Sequence, residues 1–180
     1  MVICLLTSGS FACADEQGNR DEPILPLIAN ADLNPLKIKL GDSLFHDVRL
    51  SRDNSISCAG CHNLTTNGSD SMHHSTGIGG ATGGIRAPTV YNSVFNVVQF
   101  WNGRAASLEE QAGGPITSPI EMGSNWPQVI KKLKADPKTI SAFSRVYDDG
   151  ISRHNILDAI ATFERSLVTL DSSFDRWLLG

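Results

Sequence analysis

Apolar residues recur at helical spacing in three stretches of this 180-residue chain. Leu36, Leu40 and Leu44 fall on one face of a helix that begins where Asn34 can cap and Pro35 can take the first position. Ile140, Phe143 and Val146 share one side of a second helix opened by Asp136-Pro137, and Ile156, Ile160, Phe163 and Leu167 mark a longer third. Ser107-Leu108-Glu109-Glu110 reads as a capping box, in which the serine oxygen and a glutamate carboxylate satisfy free amides at a helix start. No run of alternating residues competes as a strand, so the pattern predicts an all-α fold of several short helices joined by long loops. Gly41, inside the first helix, has no side chain and would let the backbone approach something flat and large.

Between Asn63 and Pro88 the periodicity disappears into Gly, Ser, Thr and Asn, and loops of that length are usually functional. Its glycines do not make a phosphate cradle. Thr82 takes the third glycine position of a dinucleotide fingerprint, and no Lys follows Gly84 as a P-loop requires. Residues 15–33, broken by Pro23 and Pro26, read as an extended N-terminal arm. Residues 1–14 run through Val2, Ile3, Leu5 and Leu6 into Ala12-Cys13-Ala14, the end of an export signal cut after Ala14. Nothing later is apolar for the ~20 residues that a membrane span requires.

Composition changes this picture little. A hydrophobic fraction of 41% with 19% charged residues is ordinary for a globular domain. The net charge of −4, without a basic cluster, argues against nucleic acid as a partner and suits a basic donor protein. Of four cysteines, Cys4 and Cys13 leave with the signal. Only Cys58 and Cys61 remain, and no disulfide framework is then available.

Those two cysteines lie in Cys58-Ala59-Gly60-Cys61-His62. Thiols three positions apart on a helical turn face the same way, so both can add to the two vinyl groups of one haem, with the next residue beneath the iron. His62 is then the proximal ligand of a covalently held c-type haem. A dithiol redox motif would want a βαβ setting that is absent, and a zinc site would need further ligands such as His73 and His74. Haem alone does not separate a carrier from an enzyme. An open sixth position favours peroxide chemistry, whereas a second ligand from His73, His74, Met72 or Met122 favours electron transfer.

The run from Leu40 through Phe45, His46 and Arg49 to His62 resembles the peroxidatic haem domain of bacterial dihaem cytochrome c peroxidases. Ala87–Asn96, Gln99–Ala105, Leu108–Ala112, Pro119–Gly123, Ala159–Leu167 and Phe174–Leu178 resemble later blocks of that family, in the same order. The resemblance covers nearly everything from Pro35 onward. It implies a cytochrome c-like haem domain over residues 34–180, located in the periplasm, that reduces hydrogen peroxide to water. Its electrons would come from a small cytochrome c or copper protein through a second haem, and a homodimer is compatible with it. By the same resemblance Glu121 falls on the catalytic acid/base, Gln111 on the distal amide and Trp101 on the aromatic residue between the two haems. On residue type alone, Glu121 is equally a solvated loop carboxylate, Gln111 a surface helix residue and Trp101 a core aromatic.

Three departures stand out. Family members that need reductive activation carry a His in the glycine-rich loop. Counting without gaps puts Ile78 there, which cannot ligate iron, so the haem is expected to be five-coordinate and ready when oxidised. The family's interdomain calcium site uses an Asn where this chain has Arg86, which puts calcium binding in doubt. The family also continues past Phe174-Asp-Arg-Trp into a second haem domain, so a chain stopping at Gly180 reads as truncated at that joint. The alternative function is a monohaem electron-transfer module with a filled sixth site. A third reading, an oxidase that makes protein-derived cofactors, wants a distal tyrosine, and neither Tyr91 nor Tyr147 aligns there.

Overall fold

A computed structural model describes residues 24–28 and 32–180. The export signal read at 1–14 and most of the arm read at 15–33 lie outside the described residues. The described residues contain seven α-helices and no strand, only the isolated bridges Thr76–Thr82 and Gln99–Ala105. The all-α expectation holds. The chain divides into a larger unit, Ile28–Leu170, and a smaller one in which Asp171–Gly180 joins the N-terminal residues up to Leu27.

In the larger unit, α1 (Pro35–Phe45) begins as its sequence suggests. The Asn34 Oδ1 accepts from the amides of Leu36 at 2.9 Å and Lys37 at 3.3 Å, and each such cap is worth about 1 kcal/mol. Leu40 and Leu44 are buried and Leu36 stays at the surface. The partner of α1 is α6 (Arg153–Ser166), the longest helix, which buries Ile156, Ala159, Ile160 and Phe163. A Cβ on Gly41 would lie 2.0 Å from the Ala159 carbonyl oxygen. What Gly41 admits is therefore the backbone of α6, not the flat group anticipated for it. Phe45 meets Phe163 edge-on, with ring centroids 5.3 Å apart. Full burial of such side chains contributes roughly 1.5–3 kcal/mol each.

The helix α3 (Leu108–Thr117) also packs on α6. Ser107 Oγ accepts from Glu110 N–H, but the Glu110 carboxylate accepts from Ala106 N–H at 2.9 Å. The reciprocal half of the expected capping box is thus displaced by one residue. The periodicity missed α4 (Trp126–Lys134), which fully buries only Val129 and Leu133 while Trp126 and Ile130 pack half-buried against the core. Asn125 caps it, and Lys131, Lys132 and Lys134 sit at its C-terminal end, where the helix dipole favours cations. In α5 (Pro137–Ser144) Phe143 is buried, Ile140 remains exposed, and Val146 falls beyond the helix end, so the expected three-residue face reduces to one anchor.

In the smaller unit, α7 (Ser173–Leu179) carries a reciprocal capping box between Ser172 and Asp175. The free Asp175 oxygen accepts from Leu27 N–H at 3.1 Å.

Candidate active site

Cys58 to Cys61 form the single turn α2, which ends when His62 leaves helical geometry while its N–H still reaches the Cys58 carbonyl at 2.9 Å. The turn presents both thiols and the imidazole to one cavity of about 350 Å³, within the ~300–1,000 Å³ usual for cofactor pockets. Most of the wall is apolar, including Val90, Leu108, Ala112 and Ile160.

His62 is held by the two ends of the glycine-rich loop. Its Nδ1 faces the carbonyl oxygens of Pro88 at 2.9 Å and Gly68 at 3.3 Å. Both partners only accept, so Nδ1 carries the proton and Nε2 keeps its lone pair for a metal. Burial lowers the His62 pKa against the pull of those two carbonyls, which keeps the ring neutral. Burial also pushes the Cys58 thiol up to about 12 and raises Cys61. Thiols this far from ionising are poor redox dithiols. Two half-buried cysteines, a ring nitrogen with its lone pair available and a mostly apolar wall match the needs of a covalently attached haem. His73 and His74, the further zinc ligands, are exposed and outside this wall. Among the described residues no group of three His, Cys, Asp or Glu could hold a metal ion.

The cavity brings the other expected residues together. Glu121, Gln111 and Trp101 all line it. Glu121 sits on a turn folded back on the end of α3. Its N–H donates to Ser118 O at 3.2 Å, and the amides of Met122 and Ser124 donate to Pro115 O and Ile116 O at 3.1 and 2.9 Å. The turn thereby satisfies carbonyls that a helix end leaves open. Burial raises the Glu121 carboxyl and the charge of Arg104 opposes it. Glu121 is thus a half-buried acid in a cavity wall, unlike a solvated loop carboxylate. Gln111 lies half-buried on α3, four residues before Pro115, which has no N–H to give its carbonyl. Trp101 is 71% exposed at the rim, its Nε1–H donating to Arg86 O at 3.2 Å, so it is not a core aromatic.

Of the four candidate sixth ligands only Met122 touches this wall. Ile78 is buried, outside the wall, with its side chain against Gly123. Arg86 donates from Nε to the Asp70 carbonyl at 2.7 Å. Neither tyrosine lines the cavity: Tyr91 donates to Leu64 O and Tyr147 to Asp158, at 2.8 and 2.6 Å.

Two lining residues escaped the reading of the sequence. Arg104 stacks on the Phe100 ring, 3.4 Å from its centroid. Glu164 lies one turn after Ile160, on the buried face of α6. A carboxylate at an apolar position of a helical repeat was the available signal for Glu164. Arg104 offered none beyond its place in the Gln99–Ala105 block.

The profile of the di-haem cytochrome c peroxidase family matches residues 35–180. The chain is 53% identical over 163 residues to cytochrome c peroxidase Ccp of Escherichia coli (strain K12), covering 90% of this chain and 35% of that protein. It is 44% identical over 161 residues to cytochrome c551 peroxidase of Nitrosomonas europaea, covering 89% of this chain and 48% of that one. Among solved structures, a MauG-like protein associated with microbial copper homeostasis superposes with a TM-score of 0.77 at 29% identity, over 89% of this chain and 49% of the other. The chain thus spans half or less of the length of these relatives. With 146 consecutive residues matched by one profile and relatives named cytochrome c peroxidase and cytochrome c551 peroxidase at 53% and 44% identity, the chain belongs to the di-haem cytochrome c peroxidase family.

Proposed function

We propose that this chain attaches one haem c through Cys58 and Cys61, with His62 as iron ligand, and forms the peroxide-reducing part of a larger di-haem peroxidase. The observation that carries the reading is a single cavity wall in which both thiols and the His62 ring meet Glu121, Gln111 and Trp101.

Haem would supply the iron at which the peroxide O–O bond is broken and the route by which electrons reach it. Reduction of one hydrogen peroxide takes two electrons and two protons and yields two waters. Glu121 takes a proton from the inner peroxide oxygen and returns one to the leaving oxygen, a task suited to a carboxyl raised above its ordinary range by burial. Gln111 orients the substrate through its fixed amide dipole without titrating. Trp101, exposed at the rim, would stand between this haem and a second one and assist electron transfer. The electron donor is a small cytochrome c or copper protein, and the compartment is the periplasm, where c-type haem is attached. Ile78 offers no ligand and His73 and His74 lie outside the wall, so with Met122 unbound the sixth position of a haem held here would be left to peroxide. Arg86 puts a cation where the family has a calcium-ligating Asn, which counts against calcium at that position.

Glu121→Gln in the haem-loaded protein is the test. Peroxide turnover falls on the order of 10²- to 10⁴-fold while haem content is unchanged. Near-normal turnover would reject the role given to Glu121. A ferric spectrum dominated by low-spin bands would instead favour a filled sixth site, with Met122 as the candidate.

A further inference from the structure

Glu164 is 5% exposed, and its Oε2 is one of two buried side-chain polar atoms without a hydrogen-bond partner among the described residues. The other is Ser93 Oγ. Both residues line the cavity that holds the cysteines and His62, and the turn Ser93–Phe95 packs against α6. Leaving a buried hydroxyl or carboxyl unpaired costs roughly 1–3 kcal/mol. Both atoms belong to residues of one mostly apolar cavity wall, and the unpaired Glu164 oxygen there is suited to holding a proton. The peroxide chemistry assigned to Glu121 makes no use of it.

We propose that Glu164 is a proton-binding site coupled to the haem, so that its carboxylate takes up one proton from solvent when the haem iron gains one electron. The inference rests on the haem attachment proposed above. The step balances: ferric iron becomes ferrous with one electron from the small redox donor, and the carboxylate becomes the acid, so the charge of the cavity does not change. An oxidised haem core carries one positive charge more than a reduced one, which favours the carboxylate in the first state and the acid in the second.

The surroundings leave Glu164 sensitive to that change. On its own helix, Arg165 is paired with Glu109 of α3 at 2.5 Å. Glu110 of α3 is exposed and engaged by Ala106 N–H. On α1, Lys37 is paired with Asp158 at 2.6 Å, and Lys39 and Asp42 are exposed. The turn Ser93–Phe95 carries no ionisable group, and the Cys58 sulfur of α2, a thioether once haem is attached, carries no charge. No cation pairs directly with Glu164 from any of these elements. Burial, opposed by Arg165 and reinforced by Glu109, pushes its carboxyl up to about 8, within reach of neutral pH.

The experiment is a spectroelectrochemical titration of the haem-loaded protein from about pH 5 to pH 9, for the wild type and Glu164→Gln. The wild-type reduction equilibrium should fall towards tenfold per pH unit, about 59 mV for one electron, through the neutral range. The variant should lose that slope with its ferric spectrum unchanged. A slope retained in Glu164→Gln, or a flat wild type, would overturn the proposal. Redox-difference infrared spectra of the wild type give a second readout should the variant fail to fold. A protonated carboxyl band gained on reduction supports the coupling, and its absence contradicts it. Failure to find covalent haem at all would strike the attachment reading, a separate result visible by mass before any titration.

Discussion

The backbone N–H of Ile78 donates to the carbonyl oxygen of Glu121 at 2.8 Å. The glycine-rich loop therefore braces the peptide that carries the proposed acid/base, and its tight spot is the preceding residue. A Cβ on Gly77 would lie 1.9 Å from Ile120 O, so any side chain there must displace Glu121. Gly77→Ala should lower peroxide turnover by up to about 10²-fold, the scale of a 1 Å misplacement, while haem content stays near normal. Steady-state turnover per haem checks this, and unchanged turnover would show that the brace does not set the carboxyl.

Arg104 and burial pull the Glu121 carboxyl in opposite directions. A base must be ionised to work, so the acid limb of peroxide turnover should lie above the ordinary carboxylate range, and turnover should rise with pH through it. Arg104→Ala removes the charge that holds that pKa down, and the limb should move to higher pH, with Arg104→Lys restoring most of the shift. Profiles of kcat/KM against pH decide the matter. Because Arg104 is exposed, solvent screening keeps the shift small.

Helix caps and apolar repeats were legible because they are local. Asn34, Asp136 and Ser107 all cap where the sequence suggests. The helix α4 was not legible, since its fold depends on two buried residues and on Lys132, which reaches Ser51 O and, at 2.8 Å, Asn54 Oδ1. The cysteine pair and His62 announce their chemistry in five residues. Glu121, Gln111 and Trp101 carry no such local mark, and only the order of the surrounding blocks singled them out. Gly41 could be recognised as a point of close approach but not by what, because the partner lies 118 positions away on α6.

That contact gives a stability prediction. At Gly41 an added methyl group meets Ala159 O at 2.0 Å and Phe163 Cβ at 2.7 Å, both fixed in the core. Gly41→Ala should separate α1 from α6 at a cost of about 1–3 kcal/mol. Thermal or urea unfolding measures it, and an unchanged midpoint would contradict the packing described.

Asp158 joins the same two helices to the α5–α6 connection. It accepts from Lys37 Nζ and from Tyr147 Oη, both at 2.6 Å. Burial pushes its carboxyl up, but these two bonds outweigh it and hold the pKa below the ordinary value. A depressed carboxyl contributes stability that is present above its unfolded pKa and is lost as pH falls through the folded one. Asp158→Ala should cost about 2–4 kcal/mol at neutral pH, and less in acid, where the native carboxyl is itself protonated. Unfolding midpoints measured for both proteins at neutral and acid pH test the sign.

The most direct test of the whole account is the intact mass of the mature protein under denaturing conditions, for the wild type and for Cys58→Ser/Cys61→Ser. The wild type should carry the added mass of one haem and keep it through denaturation, and the double variant should not. A wild-type polypeptide with no porphyrin attached, or with one that dissociates on denaturing, would contradict the assignment of these two thiols.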